Sequence, residues 1–256
     1  MVSDKLKKII SNAFLIILAA MLLQSCSSSD KTDINANDDP DKAFLIAKRN
    51  YDKKDYLQAI EDFSFIKIKF SGTKIIDKSQ YYLGMCYFQR SEYILAAYEF
   101  EYLIKNYTGS TYSLPARYKL AMCYYKLSPK YELDQTYTKY AITEFQNFIE
   151  LYPKDKLSPV AESKINELRN KLAFKEFKSG ELYTKLEFYK SATFYFEQVL
   201  QEYFDTEWAD NALYEKIRVL IIRKKFDEAK KEIDRFEKKF SSSDLLNKVK
   251  SLKDKL

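Results

Sequence analysis

The chain of 256 residues contains no histidine. Without imidazole there is no Ser-His-Asp triad, no Cys-His dyad and no His-ligated zinc or haem. Any chemistry would have to come from thiols, carboxylates or amines. Cys86 and Cys123 each stand two residues after a small residue, Gly84 and Ala121. Oxidised together they would form a disulfide, which suits an extracytoplasmic protein. Neighbouring helix axes lie about 8–10 Å apart, whereas a disulfide needs Cα atoms within about 7 Å. That difference favours two small, buried apolar thiols. No Cys-x-x-Cys and no Gly-rich phosphate loop occurs. The carboxylates alternate with lysines as they do on solvated helix surfaces, so no glycosidase-like pair stands out. The expectation is a non-enzyme with no catalytic residue, no metal site and no cofactor.

The third cysteine, Cys26, has a different setting. Lys5, Lys7 and Lys8 form a basic start, and residues 13–23 are all apolar. Eleven residues cannot cross a bilayer of about 30 Å as a helix, but that length suits the apolar region of a secretory signal. The segment ends Leu23-Gln24-Ser25-Cys26, which resembles a bacterial lipobox. The resemblance implies cleavage after residue 25 and acylation of Cys26, and several acyl chains make a durable bilayer anchor. Residues 26–41 are polar and rich in aspartate, and read as a flexible lipidated tether. Ser27 follows the cysteine, so no acidic inner-membrane retention signal stands there. The expected address is the periplasmic face of the outer membrane.

The rest of the chain must fold as repeated helix pairs. Only four Gly and five Pro occur in a chain with 46% hydrophobic residues, which argues against a turn-rich β fold and against disorder. An alanine is followed eleven residues later by an aromatic five times: Ala59 and Phe70, Ala96 and Tyr107, Ala141 and Tyr152, Ala192 and Tyr203, Ala229 and Phe240. The starts are spaced by 37, 45, 51 and 37 residues. Leu83-Gly84, Tyr87, Ala96 and Phe100 follow the tetratricopeptide pattern, in which small residues let antiparallel helices approach closely. Helices are expected at 42–53 and 56–70 in unit one and at 77–90 and 92–107 in unit two. Unit three carries eight extra residues, around 128–136. One long helix, 159–186, should lead into unit four, and 207–223 with 226–240 should form unit five. A polar helix after Asp244 should cap the end. The fold class is all-α, an α-solenoid of five tetratricopeptide-like helix pairs. Residues 42–157 would hold units one to three, and 158–256 units four and five with the linking helix and cap.

In tetratricopeptide arrays the first helices line the inner surface. Counted from the small residue, the inward positions are Phe44, Lys48 and Tyr51, then Tyr81, Met85 and Phe88, then Tyr118, Met122 and Tyr125. Their aromatic and thioether character suits an extended or helical peptide. The expected substrate-peptide groove is therefore Tyr51, Tyr81, Met85, Phe88, Tyr118, Met122 and Tyr125. The later units place Phe177, Glu181, Asn211, Tyr214 and Arg218 at these positions, a more polar surface for a different partner. The charge of +6 is spread over 43 basic and 37 acidic residues, an interspersed pattern that gives no sign of a nucleic-acid partner.

Arg169, Lys171-Leu172-Ala173, Glu176, Tyr183, Tyr189, Ser191-Ala192 and Tyr203-x-Asp205-Thr206 together resemble the BamD family of outer-membrane lipoproteins, part of the β-barrel assembly machine. Phe204 stands where that family usually has Pro, and Tyr195 where some members carry an Arg facing the barrel protein. The resemblance implies a non-enzymatic scaffold. It implies partners in the periplasmic domains of the integral barrel assembly protein, bound by the C-terminal half around Tyr195, Tyr214 and Arg218. It also implies unfolded outer-membrane proteins as partners, bound by the N-terminal half. The alternative from the residues is a lipid-anchored tetratricopeptide adaptor for another envelope complex, such as one for cell-wall synthesis.

Overall fold

A computed structural model describes residues 34, 39–253 and 256. Cys26, the leader and most of the tether lie outside these residues. The described residues form eleven helices and no strand. Unit one pairs α1 (Pro40–Asp52) with α2 (Tyr56–Lys69), and unit two pairs α3 (Ile76–Gln89) with α4 (Tyr93–Asn106). Unit three pairs α5 (Ser113–Leu127) with α6 (Thr136–Leu151). The linking helix α7 (Ser158–Lys185) runs unbroken into unit four and packs on α8 (Tyr189–Glu202). Unit five pairs α9 (Ala209–Ile222) with α10 (Phe226–Lys239), and α11 (Leu246–Lys253) closes the array. Each helix packs on the next, and the first helices of units one and two also touch, as do α7 and α9. The fold is the expected solenoid.

Two local devices repeat. Inside units one, two, four and five the turn between helices contains one left-handed residue: Lys54 (φ 64°), Ser91 (φ 63°), Glu187 (φ 61°) and Lys224 (φ 58°). The next amide then reaches back five residues: Asp55 to Asn50, Glu92 to Tyr87, Phe188 to Tyr183, Lys225 to Leu220, at 2.9–3.0 Å. This Schellman geometry satisfies carbonyls that the helix end leaves open. Between units, the residue three after each marker aromatic turns back onto it. The amides of Thr73, Ser110, Asp155, Thr206 and Ser243 donate to the carbonyls of Phe70, Tyr107, Tyr152, Tyr203 and Phe240 at 2.9–3.1 Å. The last two of these turns occupy residues that the hydrophobic pattern assigns to helix, so α9 starts at Ala209 rather than near 207, and α11 at Leu246 rather than near 244.

The alanine of every marker pair is fully buried. The small residue of each first helix faces a large one of the second: Ala47 and Phe63, Gly84 and Phe100, Ala121 and Phe145, Gly180 and Phe196. A Cβ on Gly84 would stand 2.8 Å from the Phe100 ring. In unit five both positions are isoleucine, Ile217 and Ile233, each wholly buried. A larger residue on one helix is matched by a smaller one on the other, which keeps the volume between helices constant. Cys86 and Cys123 are buried free thiols in different apolar clusters, and burial pushes each up to about 12.

Candidate functional site

The first helices α1, α3 and α5 bring the expected groove residues to successive units, but partly sunk into the seams between helices. Tyr51 packs edge-on to Tyr56 at 5.6 Å and to Tyr82 at 5.2 Å. Tyr81 lies 5.0 Å from Tyr112 and 5.8 Å from Phe100. Burial there raises its hydroxyl to about 12. Met85 is buried in the cluster of α3, α4 and α5, so its thioether serves that core. Phe88 packs on Tyr93 at 5.3 Å. Tyr118 meets Phe148 at 5.4 Å, and Tyr125 meets Phe145 at 6.4 Å. Met122 is half-buried beside the unit-three cluster.

Ammonium groups stand over these rings. Lys48 lies 5.6 Å from the Tyr51 centroid and 5.1 Å from that of Tyr82. Lys78 covers Phe44 at 4.3 Å and Lys119 covers Phe88 at 4.6 Å. Lys164 of α7 covers Tyr125 at 4.2 Å and donates to its hydroxyl at 2.8 Å. Tyr125 in turn donates to Glu167 at 2.7 Å. This face is therefore a row of mostly half-buried rings with lysines over them. Lys48, Lys78 and Lys164 already pair with Asp52, Asp41 and Glu167, which leaves Lys119 to meet a carboxylate or carbonyl beside an apolar side chain. Of these lysines the inward-position count found only Lys48. Lys78 and Lys119 were legible as lysines one turn before Tyr82 and Cys123 on faces otherwise apolar, whereas Lys164 comes from the next unit.

The C-terminal candidates divide into two groups. Tyr195 of α8 stacks on Tyr183 of α7 at 5.2 Å with planes 7° apart, and touches Phe194 at 5.5 Å. Phe194 and Phe188, both more than half exposed, flank the Tyr183–Tyr195 stack, with Phe188 6.4 Å from Tyr183. Tyr214 and Arg218 sit on α9, with the guanidinium 5.9 Å from the ring and paired to Glu215 at 2.8 Å.

The stretch with the densest sequence signature is a clasp. Arg169 of α7 donates to the Glu202 carbonyl at 2.9 Å and to Asp205 at 2.5 Å, and lies 5.6 Å from the Tyr203 ring. Asn170 accepts from the Glu207 amide at 3.2 Å. The linking helix thereby holds the turn that leads into unit five. Among the described residues no group of His, Cys, Asp and Glu could hold a metal ion, and no helix is long and apolar enough to cross a membrane.

Residues 36–232 match the model of a family described as YfiO, outer membrane lipoprotein. No curated protein is similar enough to this chain to count as a relative. Among solved structures, the chain is similar to a TPR repeats protein from Bacteroides fragilis NCTC 9343, with 17% identity and a TM-score of 0.47 over 85% of this chain and 97% of that one. A tetratricopeptide repeat protein from Parabacteroides merdae ATCC 43184 shares 12% identity with a TM-score of 0.39, over 78% of this chain and 79% of that one.

Proposed function

Because the chain belongs to the YfiO family of outer membrane lipoproteins, we propose that it is a BamD-type scaffold of the outer-membrane β-barrel assembly machinery. It holds itself to the periplasmic face of the outer membrane through acylated Cys26 and performs no catalysis. The observation that carries this reading is the family match, which runs from the tether into the second helix of unit five, ending at residue 232. Two surfaces support it. The ring-and-lysine row of α1, α3 and α5 suits a strand that alternates aromatic and polar residues and ends in a carboxylate, the form in which an unfolded outer-membrane protein presents its end. The exposed aromatic area around Tyr195, with Tyr214 and Arg218 on α9, is a docking surface for the periplasmic domains of an integral barrel protein.

The test is purification of the tagged protein from outer membranes in mild detergent, with partners identified by mass spectrometry and Cys26→Ala as the unanchored control. Recovery of a large barrel protein with periplasmic repeat domains is the expected result. Recovery of cell-wall enzymes in its place would move the function to an adaptor of another envelope complex. Photocrosslinkers at Tyr81, Phe88, Tyr118 and Tyr125 should capture nascent barrel proteins, and failure at every one of them would remove the substrate role from this face.

A further inference from the structure

The eight residues that lengthen unit three are tied down. Gln135, only 5% exposed, donates to the carbonyls of Lys130 at 2.8 Å and Leu133 at 3.0 Å and accepts from Thr138 at 2.7 Å. From α7, Lys175 donates to the carbonyls of Tyr131 at 3.0 Å and Leu133 at 2.8 Å. Lys171 binds Ser128 and the Pro129 carbonyl. So held, the loop lays Tyr131 edge-on to Phe174 at 4.6 Å, and Phe174 meets Trp208 at 4.5 Å. These three rings wall a cleft of about 550 Å³ between the loop, α7 and the start of α9. That volume is in the range of ligand sites, about 300–1,000 Å³.

The charges around the rings are mixed, with three carboxylates against two lysines in the lining. Glu132, Glu167 and Glu207 line the cleft. Glu167 is held below the ordinary carboxylate range: burial would raise it, but its hydrogen bonds to Tyr125 and Lys164 outweigh that. Glu132 and Glu207 have no ion-pair partner among the described residues. The ammonium of Lys171 is spent on the loop, and burial lowers its affinity for the proton. Two cations compete: Lys130, exposed at the lip, and Lys178, which lies 5.3 Å from the Phe174 centroid and pairs with Glu181. An apolar aromatic wall with unpaired carboxylates at its rim is complementary to a side chain with an apolar stem and a cationic head. Among those, a planar guanidinium stacks best on rings.

We propose that this cleft is a binding site for an arginine side chain of an extended polypeptide partner, its stem along Tyr131, Phe174 and Trp208 and its head against Glu132 and Glu207. The site adjoins the ring-and-lysine row through the hydrogen bond from Tyr125 to Glu167, but does not rest on the assembly-machinery reading.

Trp208 is the single tryptophan of the chain, so its emission reads out the cleft directly. The full-length protein in detergent is titrated with the capped peptide Gly-Leu-Arg-Leu-Gly and with its citrulline counterpart, which keeps the shape and loses the charge. A saturable emission change with the arginine peptide is expected, with the citrulline peptide binding at least about tenfold more weakly. E132Q with E207Q should weaken the arginine peptide by about tenfold or more, and K130Q should tighten it severalfold. Both changes lie on exposed side chains, and circular dichroism checks that the fold is kept. Equal binding of the two peptides, preference for a glutamate-bearing peptide, or no saturable response would overturn the proposal.

Discussion

At Gly180 the backbone of α7 comes so close to α8 that an added Cβ would stand 2.5 Å from Phe196, in a ring wholly buried on all sides. Gly180→Ala should therefore destabilise the protein by about 1–3 kcal/mol through overpacking, although alanine is the better helix former by about 1 kcal/mol. Combining it with Phe196→Ile should cost less than the two single changes together, because unit five already packs Ile217 on Ile233 at these positions. Urea unfolding of the three variants gives the coupling, and strict additivity would refute the size-matching account. This match was legible in the sequence, since Gly84, Ala121 and Gly180 recur at one register against Phe100, Phe145 and Phe196. The depth of the tyrosines was not. Helical spacing says that Tyr81 and Tyr118 share a face with Met85 and Met122. It does not say how far the second helix of the unit rises beside them, and that is what half-buries the rings and takes Met85 into the core.

The turns between helices carry the next set of consequences. Lys224 is exposed and holds φ 58°, a conformation in which a side chain costs about 1 kcal/mol relative to glycine. Lys224→Gly should stabilise the protein by about 0.5–1 kcal/mol, read as a higher urea midpoint with an unchanged slope. Ser91→Gly in unit two should do the same, and the gains should add, since the turns share no partner. The clasp on α7 is sensitive to acid instead. The hydrogen bond from Arg169 holds the Asp205 carboxyl below the ordinary range. Its contribution is fully present above the unfolded value of about 3.9 and is lost as pH falls through the lower folded value. Asp205→Asn should cost about 0.5–1 kcal/mol at pH 7, a modest figure because Asp205 is 45% exposed. The difference from the parent should shrink as pH falls past the unfolded value of about 3.9 and vanish once pH lies below the lowered folded value. Denaturant midpoints across pH 2–7 would decide it, and a difference that persists in acid would assign the effect to packing. The length of the 128–135 insertion could be counted from the spacing of the repeats. Its conformation could not, because it depends on a buried Gln135 and on Lys171 and Lys175, which lie 42 and 44 residues along the chain from the carbonyls they bind at Pro129 and Tyr131.

For the whole molecule, a solenoid has no closed core, so each end exposes an apolar face unless something covers it. The four apolar clusters follow the chain from unit one to α11, and the last draws on α7 through α11. At the far end Val249 of α11 is wholly buried, with Leu245, Leu246 and Leu252 packed beside it against a cluster that includes Ile233 and Phe236. Outside this contact α11 is lysine-rich, which is why the sequence SLKDKL reads as a polar cap. Val249→Asp would place an unpaired carboxylate in that cluster, a cost that the helix avoids by lifting off. The expected result is a loss of about 2–4 kcal/mol, the worth of the apolar surface that α11 covers. Self-association through the uncovered face of α10 should appear with it, read as concentration-dependent sedimentation. The row on α1, α3 and α5 lies at the opposite end and shares no cluster with α11, so a bound strand there should be unaffected by the same change. If Val249→Asp abolished strand binding while unit one kept its helical signal, the units would be coupled over their full length, and the proposed division of the molecule into a substrate end and a docking end would fail.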